Sequence, residues 1–245
     1  MKIETFKISK LISGNQVVLF PTVIELNGRS YLIDCGYEET FEEFTNALKN
    51  VEIEISNLHA ILISHDDIDH IGALSLFRNK NPNLLTYASY IEEPSISGKI
   101  KSERLQQAEN SLPQLPENYR TWANQFIAEL KKIKRIDVDQ VLEDGEWIEE
   151  KIQVIFTPGH TRGHISFFIP SERTVIANDA IVIEEDHLEI ANPAFVLDMQ
   201  QAVKSVEKIR SLLPNKIICY HGGIAEDNLT KKLTDLIARY KHFLV

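Results

Sequence analysis

Two hydrophobic rhythms alternate along this chain. Residues 17–20, 23–26 and 31–33 are β-branched or apolar runs, and Asn27-Gly28 supplies a hairpin turn between the last two. From 38 to 50 the rhythm changes: Phe41, Phe44 and Leu48 recur at helical intervals, with Asn50 as a stop. Residues 60–63 (Ala-Ile-Leu-Ile) form an uninterrupted apolar run, the pattern of a strand buried on both faces. A polar segment, a short helical pattern over 71–77 and another strand over 84–87 follow. That order is a βαβ unit, which places the polar segment outside the end of a buried sheet.

Residues 89–120 carry weak helical patterns interrupted by Pro94, Gly98, Pro113 and Pro116, and 122–134 is a better helix with Phe126, Ile127 and Leu130 on one side. Together, 89–135 are expected to form a helical insertion on the substrate side, either a wall or lid of the site or a plain surface excursion. Strands are predicted again at 138–142, 147–148, 152–156, 165–169 and 174–177, then a helix over 198–213, a strand over 216–220 and a last helix over 228–242. Strands followed by helix thus occur twice without repeated sequence. The expected architecture is one α/β domain spanning 1–245, two similar halves packed sheet against sheet with helices outside.

Composition narrows the partners. The formal net charge of −10 gives little support to binding a phosphate backbone, so no nucleic-acid partner is expected. The basic run Lys131, Lys132, Lys134 and Arg135 fits a solvated helix end. Cys35 and Cys219, the only cysteines, are expected as buried free thiols rather than a secreted disulfide framework. Charges throughout the first residues argue against an export signal, and no apolar stretch approaches the ~18 residues of a membrane span. A cytoplasmic protein acting on a small molecule, with no membrane partner and with a homodimer as an open possibility, is the expectation.

The candidate chemistry is a set of histidines and aspartates. Of eight histidines, His65, His70, His160 and His221 follow strand-like runs in polar or glycine-rich segments. Imidazole is the commonest neutral metal ligand in proteins. The segment His65-Asp66-Asp67-Ile68-Asp69-His70 crowds three carboxylates and two imidazoles together. It is either a solvated acidic loop that caps a helix or a site where cations turn repulsion into coordination. Thr157-Pro158-Gly159-His160-Thr161-Arg162-Gly163-His164 is a compact turn, Asp179 follows an apolar strand, and His221 precedes two glycines.

Together these segments resemble, in order and spacing, the signature of the metallo-beta-lactamase superfamily over residues 15 to 225. The resemblance implies an αββα sandwich of two mixed β-sheets with external helices, and two divalent metal ions at one edge of the sheets, zinc first, with manganese or iron as alternatives. By motif, His65, Asp67 and His160 would surround the first ion, Asp69, His70 and His221 the second, and Asp179 would bridge them. The usual loop has a second histidine where this chain has Asp67. A carboxylate there lowers the formal charge of the centre by one, or else Asp67 turns away and the first site is weak.

The activity implied is hydrolysis of a small carboxylic ester, lactone or thioester by metal-activated hydroxide, with Asp69 orienting the hydroxide and carrying a proton. His164 is a candidate orienting residue behind the ligands. No tyrosine follows Asp179 closely, which weakens the lactone assignment. Tyr220 either supplies a phenol or turns into the core. A small-substrate phosphodiesterase and a non-catalytic metal-binding regulator are the alternatives.

Overall fold

The computed structural model describes residues 1–244. In the first half, β1 (Lys2–Thr5), β2 (Ile8–Ile12), β3 (Asn15–Leu19), β4 (Thr22–Leu26) and β5 (Arg29–Ile33) lead to α1 (Phe41–Asn50), β6 (Leu58–Ile63), α2 (Ile68–Ile71), α3 (Leu74–Lys80) and β7 (Leu85–Ser89). Three helices, α4 (Glu93–Ile96), α5 (Glu103–Ser111) and α6 (Glu117–Lys132), precede β8 (Gln140–Leu142). The second half contains β9 (Trp147–Ile148), β10 (Ile152–Phe156), β11 (Ile165–Ile169), β12 (Thr174–Asn178), β13 (Val182–Glu184) and β14 (His187–Glu189). It closes with α7 (Met199–Ser211), β15 (Lys216–Cys219), β16 (Gly223–Ala225) and α8 (Leu229–Tyr240).

Each half builds one mixed six-stranded sheet, ordered β1-β4-β5-β6-β7-β8 and β16-β15-β12-β11-β10-β9. Strands β5 to β8 run parallel to one another, while β12 and β15 are the parallel pair of the second sheet. The continuous apolar run of β6 has two destinations. Ala60 and Leu62 face the second sheet beside Val154, Phe167 and Ile218, whereas Ile61 and Ile63 face Phe44, Leu48, Leu74 and Phe77 of α1 and α3. On the far side, Val175, Ile217 and Cys219 pack under α7 and α8 through Val203, Val206, Leu233 and Leu236. The layers are therefore αββα, as the sequence predicts. Each large apolar side chain buried this way contributes about 1.5–3 kcal/mol. Packing rather than propensity holds elements such as the four-residue α2.

Several boundaries differ from the sequence reading. The strand read at 17–20 is β3, but its hairpin partner β2 and the edge strand β1 fall outside the sequence expectation, because Lys2, Glu4, Lys7 and Lys10 break the apolar alternation that marks strands. The helix expected over 71–77 is two helices. Gly72 lies between them, where a Cβ would come within 2.5 Å of the Ile68 carbonyl oxygen and 2.9 Å of the Tyr37 Cα. The better helix of the 89–135 segment begins earlier, at Glu117 behind Pro116, and α5 starts under a cap in which the Ser102 hydroxyl accepts from the Leu105 N–H. Both cysteines are buried and free. No helix among the described residues is long and apolar enough to cross a membrane.

This topology delivers side chains to one edge. The ends of β5, β6, β12 and β15 and the turn between β10 and β11 supply Asp34, the 64–70 segment, Asp179, His221 and the 157–164 segment. At the end of β12 the pairing with β15 shifts and Asn178 takes a positive φ of 50°, which redirects the chain at Asp179.

Candidate metal centre

All seven residues singled out by the sequence meet at that edge. The Asp67 Oδ2 atom lies 3.4 Å from His65 Nε2 and 3.0 Å from His160 Nε2. The Asp69 Oδ2 atom lies 3.1 Å from His221 Nε2 and 3.6 Å from His70 Nε2. Asp179 stands between the two groups: its Oδ2 is 3.6 Å from both His160 Nε2 and His70 Nε2, and its Oδ1 is 3.5 Å from His221 Nε2.

Donors bound to one tetrahedral ion at 2.0–2.2 Å stand roughly 3.3–3.6 Å apart. Five of the seven separations, at 3.4–3.6 Å, match that spacing, while His160–Asp67 and His221–Asp69 stand closer, at 3.0 and 3.1 Å, within hydrogen-bond reach. His65 with Asp67 and His160, and Asp69 with His70 and His221, form two triads. His65 Nε2, His70 Nε2 and Asp179 Oδ1 are buried without a hydrogen-bond partner, a costly state for polar atoms unless a cation takes their lone pairs. The donor set fits divalent metal ions. In the metal-free cluster the carboxylates of Asp179 and Asp69 overcome the effect of burial and push His221 up to about 10. Metal uptake must therefore displace its proton.

The supporting residues explain the orientation of the candidate ligands. Asp34, fully buried at the end of β5, accepts from the Ser64 N–H at 2.8 Å, the Ser64 hydroxyl at 2.7 Å and His70 Nδ1 at 2.8 Å. The Ser64 oxygen, whose proton goes to Asp34, accepts from His65 Nδ1 at 2.9 Å. Both imidazoles thus carry a proton on Nδ1 and direct Nε2 at the centre. Against the effect of burial, the carboxylates of Asp69, Asp179 and Asp34 hold His70 well above the usual histidine range, so a metal at that nitrogen would also displace a proton. His164 is buried and sits one layer back. Its Nδ1 pairs with the Thr157 hydroxyl at 2.9 Å, and its Nε2 accepts the Asp179 N–H at 3.2 Å. Burial holds this ring well below the usual histidine range, in the neutral form that such acceptance needs.

The phenol of Tyr220 is not directed at the cavity: it donates to the Asp69 carbonyl oxygen at 2.9 Å, with its ring against His70 at 4.3 Å. Gly159 lets the His160 turn touch α7, since a Cβ there would come within 2.3 Å of the Ala202 nitrogen. Of the basic run, Lys131 and Lys132 pair with Glu109 and Glu129 at the surface, whereas Arg135 turns inward toward Asp66.

Four participants escaped the sequence reading: Asp34, Ser64, Glu92 and Arg104. Asp34 carries the same signal as the ligands, a polar residue directly after an apolar strand. Arg104 carried none; it lies in α5, and its guanidinium binds Asp67. Glu92 is buried and its Oε1 accepts from the Thr161 hydroxyl at 2.6 Å and the Gly163 N–H at 2.9 Å, tying the segment after β7 to the His160 turn.

Burial, reinforced by Asp66 and Asp67, pushes Glu92 up to about 8. The folded state therefore keeps a proton that the unfolded chain releases near pH 4.5, so stability is expected to fall as pH rises from about 4.5 to 8. In metal-free protein, urea titrations across this window should show that decline in the wild type and a flatter profile in Glu92→Gln. Parallel slopes would contradict the assignment.

Three kinds of comparison agree with this geometry. The family model described as Metallo-beta-lactamase superfamily matches residues 20–221. The chain belongs to the metallo-beta-lactamase superfamily. It is 28% identical over 229 residues to the probable metallo-hydrolase YflN of Bacillus subtilis, covering 85% of this chain and 81% of that one. Over a shorter stretch of 56 residues it is 36% identical to a hydroxyacylglutathione hydrolase of Mesorhizobium japonicum, covering 22% of each. Among solved structures, a metallo-beta-lactamase family protein of Thermus thermophilus shares the fold with a TM-score of 0.71 at 17% identity, covering 98% of this chain and 79% of that one.

Proposed function

We propose that this metal-dependent hydrolase opens a small carboxylic ester or thioester carrying an apolar group. The observation that carries this is the cavity over the centre. About 370 Å³ in volume, it has Asp67, Asp69, His160, Asp179 and His221 in its lining, with Ile68, Phe126, Val182, Ile183 and Phe195 around them. Arg104 is the one cationic side chain among its lining residues besides the histidines, and its nitrogens are already engaged by Asp67, Gln107 and the Phe195 carbonyl. A neutral acyl group suits such a lining better than a phosphodiester, which favours a free cation. The local similarity to a hydroxyacylglutathione hydrolase supports a thioester in particular.

His65, Asp67 and His160 would hold one ion, Asp69, His70 and His221 a second, and Asp179 would touch both; zinc suits this set, and the carboxylates also accommodate manganese or iron. Such ions supply polarisation of a carbonyl oxygen and a water made acidic enough to attack near neutral pH. Asp69 receives the proton of the attacking water and returns it to the leaving oxygen or sulfur as the C–O or C–S bond breaks. Tyr220 fixes the Asp69 backbone from behind, while Asp34 and Ser64 keep the imidazoles aligned. Phe126, Phe195 and Ile183 exclude bulk water and seat the apolar part of the substrate.

The test is a parallel assay of metal-free protein reconstituted with Zn(II), Mn(II) or Fe(II) against aryl esters, thioesters, lactones and phosphodiesters, with Asp179→Ala as control. Metal-dependent turnover of esters or thioesters, lost in the control, is expected. Preferential turnover of phosphodiesters, or rates equal to the control throughout, would refute the proposal.

A further inference from the structure

Asp67 adds a negative charge to a triad whose other members, His65 and His160, are neutral ligands. Its surroundings offset that charge. Arg104 Nε lies 2.9 Å from Asp67 Oδ1 and 3.1 Å from Oδ2, and Nη2 donates to Oδ2 at 2.7 Å. The third nitrogen, Nη1, donates to Gln107 Oε1 at 2.6 Å and the Phe195 carbonyl at 2.7 Å, and the guanidinium carbon stands 5.3 Å from the Phe195 ring centroid. Arg104 is only 2% exposed. A guanidinium so far from water needs a full complement of acceptors and a counter-charge, and Asp67 supplies the charge. The same Asp67 Oδ2 lies 3.4 Å from His65 Nε2 and 3.0 Å from His160 Nε2, and Arg104 Nη2 stands 3.3 Å from that His160 nitrogen, so the carboxylate faces the centre and the arginine together.

We infer that Asp67 and Arg104 act as one unit in place of a neutral imidazole. Asp67 offers the donor oxygen, and Arg104 cancels its charge and fixes both of its oxygens with a planar fork that lysine cannot reproduce. Net charge at this end of the centre is then what a histidine would leave. Arg104 is a positioning residue, since its donors are committed within the protein. It also links α5 and the Phe195 loop to the metal ligands. The inference rests on the metallohydrolase proposal, and it makes Asp67→His a damaging change by itself: the substitution leaves a buried guanidinium beside a metal site with no carboxylate between them.

Metal content and metal affinity decide the matter, measured by mass spectrometry after dialysis against graded chelator for wild type, D67H, R104M and D67H/R104M, with folding checked by circular dichroism. The wild type is expected to hold two ions per chain. Each single variant should hold one of them about 10–100-fold more weakly, and the double variant should recover most of that loss. R104K, which retains the charge without the fork, should fall between wild type and R104M and serves if a single variant fails to fold.

Equal affinities in wild type and D67H, or a double variant no better than the singles, would overturn the unit while leaving the hydrolase proposal standing. A wild type that holds one ion, joined by a second in R104M, would also overturn it, because the guanidinium would then be occupying a metal's place. A wild type that binds no metal at all would remove the metallohydrolase proposal and the unit with it.

Discussion

Asp69→Asn is expected to lower kcat about a thousandfold at saturating metal, with KM changed little. The asparagine oxygen can still face His221, but the amide cannot take a proton from water and deliver it to a leaving group. Asp69 is suited to that task by position: it lines the cavity, its Oδ2 lies 3.1 Å from His221 Nε2, and its backbone is pinned by Tyr220. The measurement is steady-state kinetics on protein whose metal content has been matched to wild type. A loss under tenfold at matched content would reduce Asp69 to a ligand without a proton-transfer role.

The second large effect is expected behind the ligands. Asp34→Ala removes the acceptor of three buried donors, two on Ser64 and one on His70. Leaving them unpaired should destabilise the protein by about 3–5 kcal/mol. Metal affinity should fall about 10–100-fold, because His70 loses the partner that keeps its proton on Nδ1. Urea denaturation of metal-free protein gives the first quantity and chelator competition the second. A stability change below about 1 kcal/mol with unaltered metal affinity would mean that water replaces the carboxylate completely.

These two experiments probe different layers of the site, and the layers differ in how they were legible. The candidate ligands lie in polar segments after apolar strands, so the sheets carry them to a common edge, and the resemblance of those segments to the family's motifs picks them out. The supporting layer is read from pairing across the fold. Asp34 acts on His70 from a neighbouring strand, and His164 acts on Asp179 from another turn. His164 is legible as an orienting candidate beside the turn, but which group it holds, the Asp179 N–H, and the whole role of Asp34 follow only from the partners.

The segment between β7 and β8 was the least legible part. Its prolines and weak periodicity conceal α5, which is short and strongly polar, with Arg104 and Leu105 as its buried residues. A buried arginine in such a helix looks like an ordinary solvated one, because helical period describes which face is apolar and not which polar group finds a partner inside. The unexpected β13–β14 hairpin has the same origin. Its strands are three residues each, too short for alternation to register, yet Val182 and Ile183 line the cavity.

By itself the sequence carried the layered sheet-on-sheet architecture, since strand period and helix period are short-range patterns, and the family resemblance picked out the seven candidate donors that the fold brings to one edge. Only the tertiary structure decided what Asp67 is. Its distinctive charge is balanced by Arg104, 37 positions away in sequence, and electrostatic compensation in a buried site depends on distance in space, which no local pattern encodes.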